Sequence, residues 1–206
     1  YWNNETFNID SYFTFGDLSV KNLKAISNKI GKDLSIEKLK NFKFENTNNS
    51  KIIKTKNKKI LYIPSSFVGE ARQLPFAKLI DPILFDFEKY LIDVLQNNRF
   101  EVIYKQHSKG FAIGQEFLGN LADISLKTSI NEALKMADTV IFEYAGTALI
   151  DALNAEKNII LIDNGIRSFS DLNLKDLKDR VKIISIYWKD NLPYIDEKQL
   201  LDALYG

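Results

Sequence analysis

His107 is the only histidine in this chain of 206 residues, and it stands in Lys105-Gln106-His107-Ser108-Lys109-Gly110 with a lysine two positions away on either side. An imidazole can donate a hydrogen bond to a phosphate oxygen. Two neighbouring ammonium groups attract an anion and lower the imidazole's own proton affinity, which a bound phosphate would oppose. A second stretch, Glu143-Tyr144-Ala145-Gly146-Thr147-Ala148, offers related chemistry. Gly146 lets backbone approach a ligand closely, and a helix opening at Thr147 would present unpaired N–H groups and roughly half a positive charge to an anion. Ala145, Gly146 and Thr147 would then cradle the phosphate. Glu143 sits awkwardly beside an anion, so its carboxylate is expected to take ribose or sugar hydroxyls, or to face solvent. A third stretch, Pro64-Ser65-Ser66-Phe67-Val68-Gly69-Glu70-Ala71-Arg72, supplies the hydroxyls of Ser65 and Ser66 and a guanidinium, Arg72, able to fork onto phosphate. Asp163-Asn164-Gly165-Ile166-Arg167 reads first as an ordinary turn. Each stretch also has a plain reading as a connection between strand and helix, and a lone histidine is more often structural. Position is what favours chemistry here.

The elements that hold these stretches supply that position. Ile60-Leu61-Tyr62-Ile63, Phe100 to Tyr104, Ile124-Ser125-Leu126, Thr139-Val140-Ile141-Phe142, Ile159-Ile160-Leu161-Ile162 and Val181 to Ile186 read as strands. Ile83, Leu84, Phe87, Leu91, Val94 and Leu95 share one helical face, and Leu149, Ile150 and Leu153 belong to a later helix. Ser129 or Thr128 can cap a helix carrying Ile130, Ala133, Leu134 and Ala137, with Glu132 at a capping-box position. A last helix is expected over 196–204. Strands alternating with helices predict parallel βαβ units, and strands that are apolar throughout predict helices on both faces. The fold class is therefore α/β, a doubly wound, mostly parallel Rossmann-like sheet over residues 60–206. In such a sheet ligands bind beyond the carboxyl ends of the strands, where the stretches above lie.

Residues 1–59 read differently. Ser11-Tyr12-Phe13-Thr14-Phe15 predicts a strand stopped by Gly16, and Val20, Leu23, Ile26 and Ile30 a helix. From Asn46 to Lys59 there is no acidic residue and five lysines, which reads as a solvated connector or, with a membrane-bound acceptor, as a contact with anionic lipid. The chain opens Tyr1-Trp2-Asn3-Asn4, so a preceding segment of the same polypeptide is expected. A formal net charge of +1 gives no case for nucleic acid. The absence of cysteine excludes disulfides, thiolate metal sites and cysteine nucleophiles. With one histidine and no dense carboxylate cluster, no metal site is expected. No apolar run approaches the roughly 20 residues that span a bilayer, so a cytoplasmic location is expected, at the inner face of the membrane if the lysines bind lipid.

Tyr104-Lys105-Gln106-His107-Ser108 is similar to the Lys-x-His-Pro motif of bacterial sialyltransferases and CDP-glycerol glycerophosphotransferases. The stretch Ala137 to Ala152 resembles their second motif, a strand ending in small or hydroxyl residues before an acidic-apolar helix, and Asn158 to Asp163 matches the strand that follows. In order and spacing, residues 60–190 resemble the C-terminal domain of GT-B-type glycosyltransferases, above all those of bacterial surface-carbohydrate synthesis. Tyr12-Phe13-Thr14-Phe15-Gly16 more faintly resembles the last strand of their N-terminal domain. Two departures stand out: Ser108 where the family has proline, and Ala145-Gly146-Thr147 in place of paired serines.

The resemblance implies a nucleotide-binding half-enzyme that transfers a sugar or glycerophosphate to a surface glycan or lipid-linked acceptor. The donor is a CMP- or CDP-linked substrate, and no separate cofactor is implied. It makes His107 the catalytic contact to the donor phosphate, and Ser65, Ser66, Arg72, Lys105, Glu143, Ala145, Gly146 and Thr147 the donor-binding set. The catalytic base would come from the missing N-terminal domain. A nucleotide-sugar epimerase of the same architecture and a non-catalytic α/β interaction module are the competing readings.

Overall fold

The computed structural model describes residues 10–39, 58–67, 79–107, 113–165, 175 and 177–205. The chain divides into two compact units after Asn48, a division that falls outside the described residues and ahead of the first strand of the larger unit.

In the smaller unit, β1 (Ser11–Phe15), α1 (Asp17–Ile30) and β2 (Ser35–Leu39) form one βαβ turn, with β1 and β2 paired in parallel from Ser11↔Ser35 to Phe15↔Leu39. The helix ends at Gly31, whose left-handed conformation (φ 65°) returns its N–H to the last turn, as C-cap glycines do. Strand β2 was not evident in the sequence because its side chains, apart from Ile36, are exposed.

The larger unit is the expected doubly wound α/β fold. Its elements are β3 (Lys59–Ile63), α2 (Asp81–Asn97), β4 (Glu101–Lys105), α3 (Ile113–Leu121), β5 (Ile124–Leu126), α4 (Ile130–Leu134), β6 (Thr139–Phe142), α5 (Thr147–Asn154), β7 (Asn158–Asp163), β8 (Val181–Lys189), β9 (Leu192–Ile195) and α6 (Glu197–Tyr205). The strand order is β5-β4-β3-β6-β7-β8-β9, parallel throughout except for the antiparallel pair β8–β9. Asp190 and Asn191, both at positive φ, make the tight turn of that hairpin, as primed turns demand.

Alternation along each strand divides the core in two. Ile60, Tyr62, Val102, Tyr104, Ile141 and Ile160 face a cluster built with α2, α3 and α6. Leu61, Ile103, Val140, Phe142, Ile159 and Leu161 face a cluster built with α4 and α5. This two-sided burial is why the central strands β3, β4, β6 and β7 are apolar through their interiors. The capping box at α4 is present: Ser129 Oγ accepts from the Glu132 amide at 3.3 Å, and the Ser129 amide donates to Glu132 Oε2 at 3.1 Å. Among the described residues no helix is long and apolar enough to cross a membrane.

Helix α3 was missed by sequence reasoning, and Gly119 shows why. Glycine is a poor helix former, yet a Cβ at this position would lie 2.4 Å from Ser125 Oγ and 3.0 Å from Gln106 Nε2. The helix can lie against the ends of β4 and β5 only because that side chain is absent. Gln106 is itself buried there, donating to Ser125 Oγ at 3.0 Å. Gly119→Ala should therefore destabilise the larger unit by about 1–3 kcal/mol despite alanine's better helix propensity. The loss would appear as a lower midpoint in urea denaturation, and an unchanged or raised midpoint would refute the close packing.

Candidate functional site

The reversal of strand order creates the site. From β3 the chain builds outward through β4 and β5, then returns to the other side of β3 to lay down β6. Helix α2 leaves β3 toward one face and α5 leaves β6 toward the opposite face. The carboxyl ends of β3 and β6 are thus adjacent while their connections diverge, the switch point where open α/β sheets bind ligands. A cleft of about 600 Å³ lies there, lined by Ile63, Pro64, Ser65 and Ser66 after β3, by His107 after β4, and by Phe142 and Tyr144 to Ile150 after β6. Sites for small molecules span about 300–1,000 Å³.

Of the residues singled out in the sequence, Ser65, Ser66, His107, Ala145, Gly146 and Thr147 are brought together in this cleft. His107 arrives because β4 ends at Lys105, two residues earlier, on the strand next to β3. Thr147 and Ala148 open α5, and their amides have no partner among the described residues. Gly146, the N-cap residue, has no side chain to cap the helix. A Cβ on Gly146 would lie 3.3 Å from Cδ1 of Tyr144, so glycine keeps the backbone close beside that ring. The helix start thus opens into the cleft with its positive end uncovered.

Glu143 differs from both expectations placed on it. It is buried, and both carboxyl oxygens are taken up within the protein. The Tyr62 hydroxyl donates to Oε1, while the amide and hydroxyl of Ser65 donate to Oε2 at 3.2 and 3.1 Å. Alternation explains the placement, since Glu143 is the next residue after Phe142 and so points to the Tyr62 side of the sheet. Its role is to tie the end of β3 to the end of β6 beneath the cleft. Burial pushes its carboxyl up to about 8, against a smaller lowering by the Ser65 amide. A neutral Glu143 removes the repulsion that made this residue awkward beside an anion.

Lys105 also differs from a phosphate ligand. It is buried and donates to the Gln106 carbonyl oxygen at 2.8 Å, with its proton affinity lowered by desolvation, and it does not line the cleft. Arg72 and Lys109 lie outside the described residues, as do Arg167 and residues 51–57 of the lysine-rich stretch. Lys59 of that stretch begins β3 and pairs with Glu101 at 3.2 Å. The turn after β7 is explained by itself, since Asp163 Oδ1 accepts from the Gly165 amide at 2.9 Å.

Sequence reasoning missed a buried carboxyl behind the site. Glu88 of α2 is fully buried and accepts from the Tyr104 hydroxyl at 2.6 Å, while its other oxygen has no partner among the described residues. The Tyr104 ring meets Tyr62 edge to face, with centroids 5.6 Å apart. Two hydrogen-bonded pairs, Glu88–Tyr104 and Tyr62–Glu143, thus meet through a ring contact in the core behind the cleft. A hydrogen bond to a charged group contributes about 1.5–3 kcal/mol, whereas burying an ion costs several. The neutral acid wins at Glu88, whose carboxyl is pushed up to about 8 by burial, with the Tyr104 bond a smaller opposing effect. The signal was available: position 88 falls at i+4 from Leu84 and i−3 from Leu91, inside the apolar face of α2.

These two acids set a pH dependence of stability. Both carboxyls lie above their ordinary value of 4.5 in the folded state, so the fold holds more protons than the unfolded chain between there and about 8. Stability is fullest below that window and falls as pH rises through it. Urea denaturation should show the decline from about pH 5 to about pH 8.5, and Glu88→Gln should flatten it. Stability rising across that range would contradict the burial of neutral acids. Comparison with family models, with curated proteins and with solved structures finds no match for this chain.

Proposed function

We propose that the larger unit is the donor-binding domain of a glycosyltransferase of GT-B type, acting on a cytidine-nucleotide donor. One observation carries the reading: His107, Ser66 and the uncapped start of α5 converge on one cleft at the switch point of the sheet. A phosphate lying there would receive the Thr147 and Ala148 amides, the Thr147 hydroxyl and the His107 imidazole. Ser65 supports the cleft from below, because its hydroxyl proton is directed to Glu143. The remaining lining, with Ile63, Pro64, Tyr144 and Ile150, suits the less polar body of a nucleotide.

These groups act on the leaving side of a transfer. Negative charge grows on the donor phosphate as its bond to the transferred group breaks. Fixed donors aimed at that charge bind it more strongly in the transition state than in the ground state, which is the usual electrostatic route to acceleration. His107 would be the group that touches the departing phosphate. The acceptor is a surface glycan or a lipid-linked sugar, and the base that activates it would come from another part of the enzyme. The resemblance of the two motifs to those of sialyl- and glycerophosphotransferases favours this class over an epimerase.

Titration calorimetry tests the reading. CMP or CDP should bind, cytidine should bind far more weakly, and His107→Ala should weaken CMP by about tenfold, the worth of roughly one hydrogen bond. The chain alone should show little transfer. Equal affinity for cytidine and CMP, or an unchanged His107→Ala variant, would remove the phosphate from the cleft and favour a non-catalytic module.

A further inference from the structure

The tie beneath the cleft has a consequence for what the cleft binds. Glu143 links the β3 loop to the β6 loop through both a strand side chain, Tyr62, and a loop residue, Ser65. Those two loops are the walls of the cleft. An ionised Glu143 would place a buried negative charge directly beneath an anion held at the start of α5. Among the described residues, the groups bonded to it carry no positive charge. From β3 the groups facing Glu143 are the Tyr62 and Ser65 hydroxyls. From β4, Lys105 keeps its ammonium on the Gln106 carbonyl, and His107 lines the cleft. Behind Tyr62 stand Tyr104 and the buried acid Glu88, which supply no positive charge. On its own loop Tyr144 adds none either.

We propose that Glu143 is a proton-dependent positioning residue: in its neutral form it ties the two walls of the cleft through Tyr62 and Ser65, and an anion bound at the start of α5 holds the proton on it. This rests on the phosphate-binding reading of the cleft and extends it to regulation by pH. Burial, opposed in smaller part by the Ser65 amide, already raises the carboxyl to about 8, and a bound anion raises it further. Binding near that pH therefore draws a fraction of a proton from solvent onto a carboxylate oxygen of Glu143, where a hydroxyl oxygen of Tyr62 or Ser65 accepts its hydrogen bond, and affinity falls as pH rises beyond it, by up to about tenfold per pH unit.

The experiment is calorimetric titration of the full chain with CMP at about pH 8 in two buffers of different ionisation enthalpy, which reports protons taken up on binding. Wild type should take up a fraction of a proton, and Glu143→Gln should take up less, with a flatter dependence of affinity on pH. Proton uptake by any other group, the CMP phosphate included, persists in the variant. Binding without proton uptake in wild type, or the same uptake in Glu143→Gln, would overturn the proposal while leaving the phosphate-binding reading intact. Failure of wild type to bind either CMP or inorganic phosphate would overturn both. If Glu143→Gln does not fold, infrared spectra of wild type with labelled glutamate carboxyls decide: added CMP should increase the protonated-carboxyl band at about pH 8, and an unchanged band would refute the assignment.

Discussion

The parallel pairing of β3 with β6 is the constraint on which the rest depends. Because the chain leaves these neighbours toward opposite faces, no crossover helix can close the space above their carboxyl ends. The register Ile60↔Thr139 to Ile63↔Phe142 then brings the Ser65 loop and the Gly146 turn to the two sides of one crevice. His107 enters because β4 flanks β3. The cleft is therefore a product of strand order, and the side chains only decide what it accepts.

Opening a crevice at the end of a sheet leaves two loops with little to hold them apart at a fixed distance. The chain answers with a buried acid. Glu143 takes the Tyr62 hydroxyl and the Ser65 amide and hydroxyl, and the Tyr62 ring rests edge to face on Tyr104, whose hydroxyl satisfies Glu88. Apolar residues could fill the same volume, but they would not fix the loops by directed bonds. Keeping two carboxyls neutral in the interior is the cost, and it falls on stability at alkaline pH.

Much of this was legible in the sequence. Six apolar runs announced the parallel strands, and the helices of the larger unit followed from periodicity at α2 and α5 and from the Ser129–Glu132 capping box at α4. The carboxyl-end rule then selected Ser65, Ser66, His107 and Gly146 as neighbours. What escaped notice shares one physical cause: the residues involved look wrong for where they are. Gly119 disguises α3 as a loop because the helix needs its missing side chain. Pro193 disguises β9, which tolerates proline as the edge strand of the sheet. Glu143 looked like a surface or ligand-binding carboxylate, and Glu88 went unremarked within an apolar face, because burial of an acid is visible only once its tyrosine partner, on another strand, is in place. Lys105 likewise read as a cation for phosphate until its ammonium proved to be engaged by the next residue's carbonyl.

The function proposed for the cleft requires an anion in the space between His107 and the start of α5. A crystal structure of the chain grown with CMP tests it most directly. The phosphate should lie within hydrogen-bonding distance of the His107 imidazole and of the Thr147 and Ala148 amides, with the Glu143–Ser65 bonds intact beneath it. A phosphate bound elsewhere on the sheet, or bound to Glu143 after displacing Ser65, would contradict it.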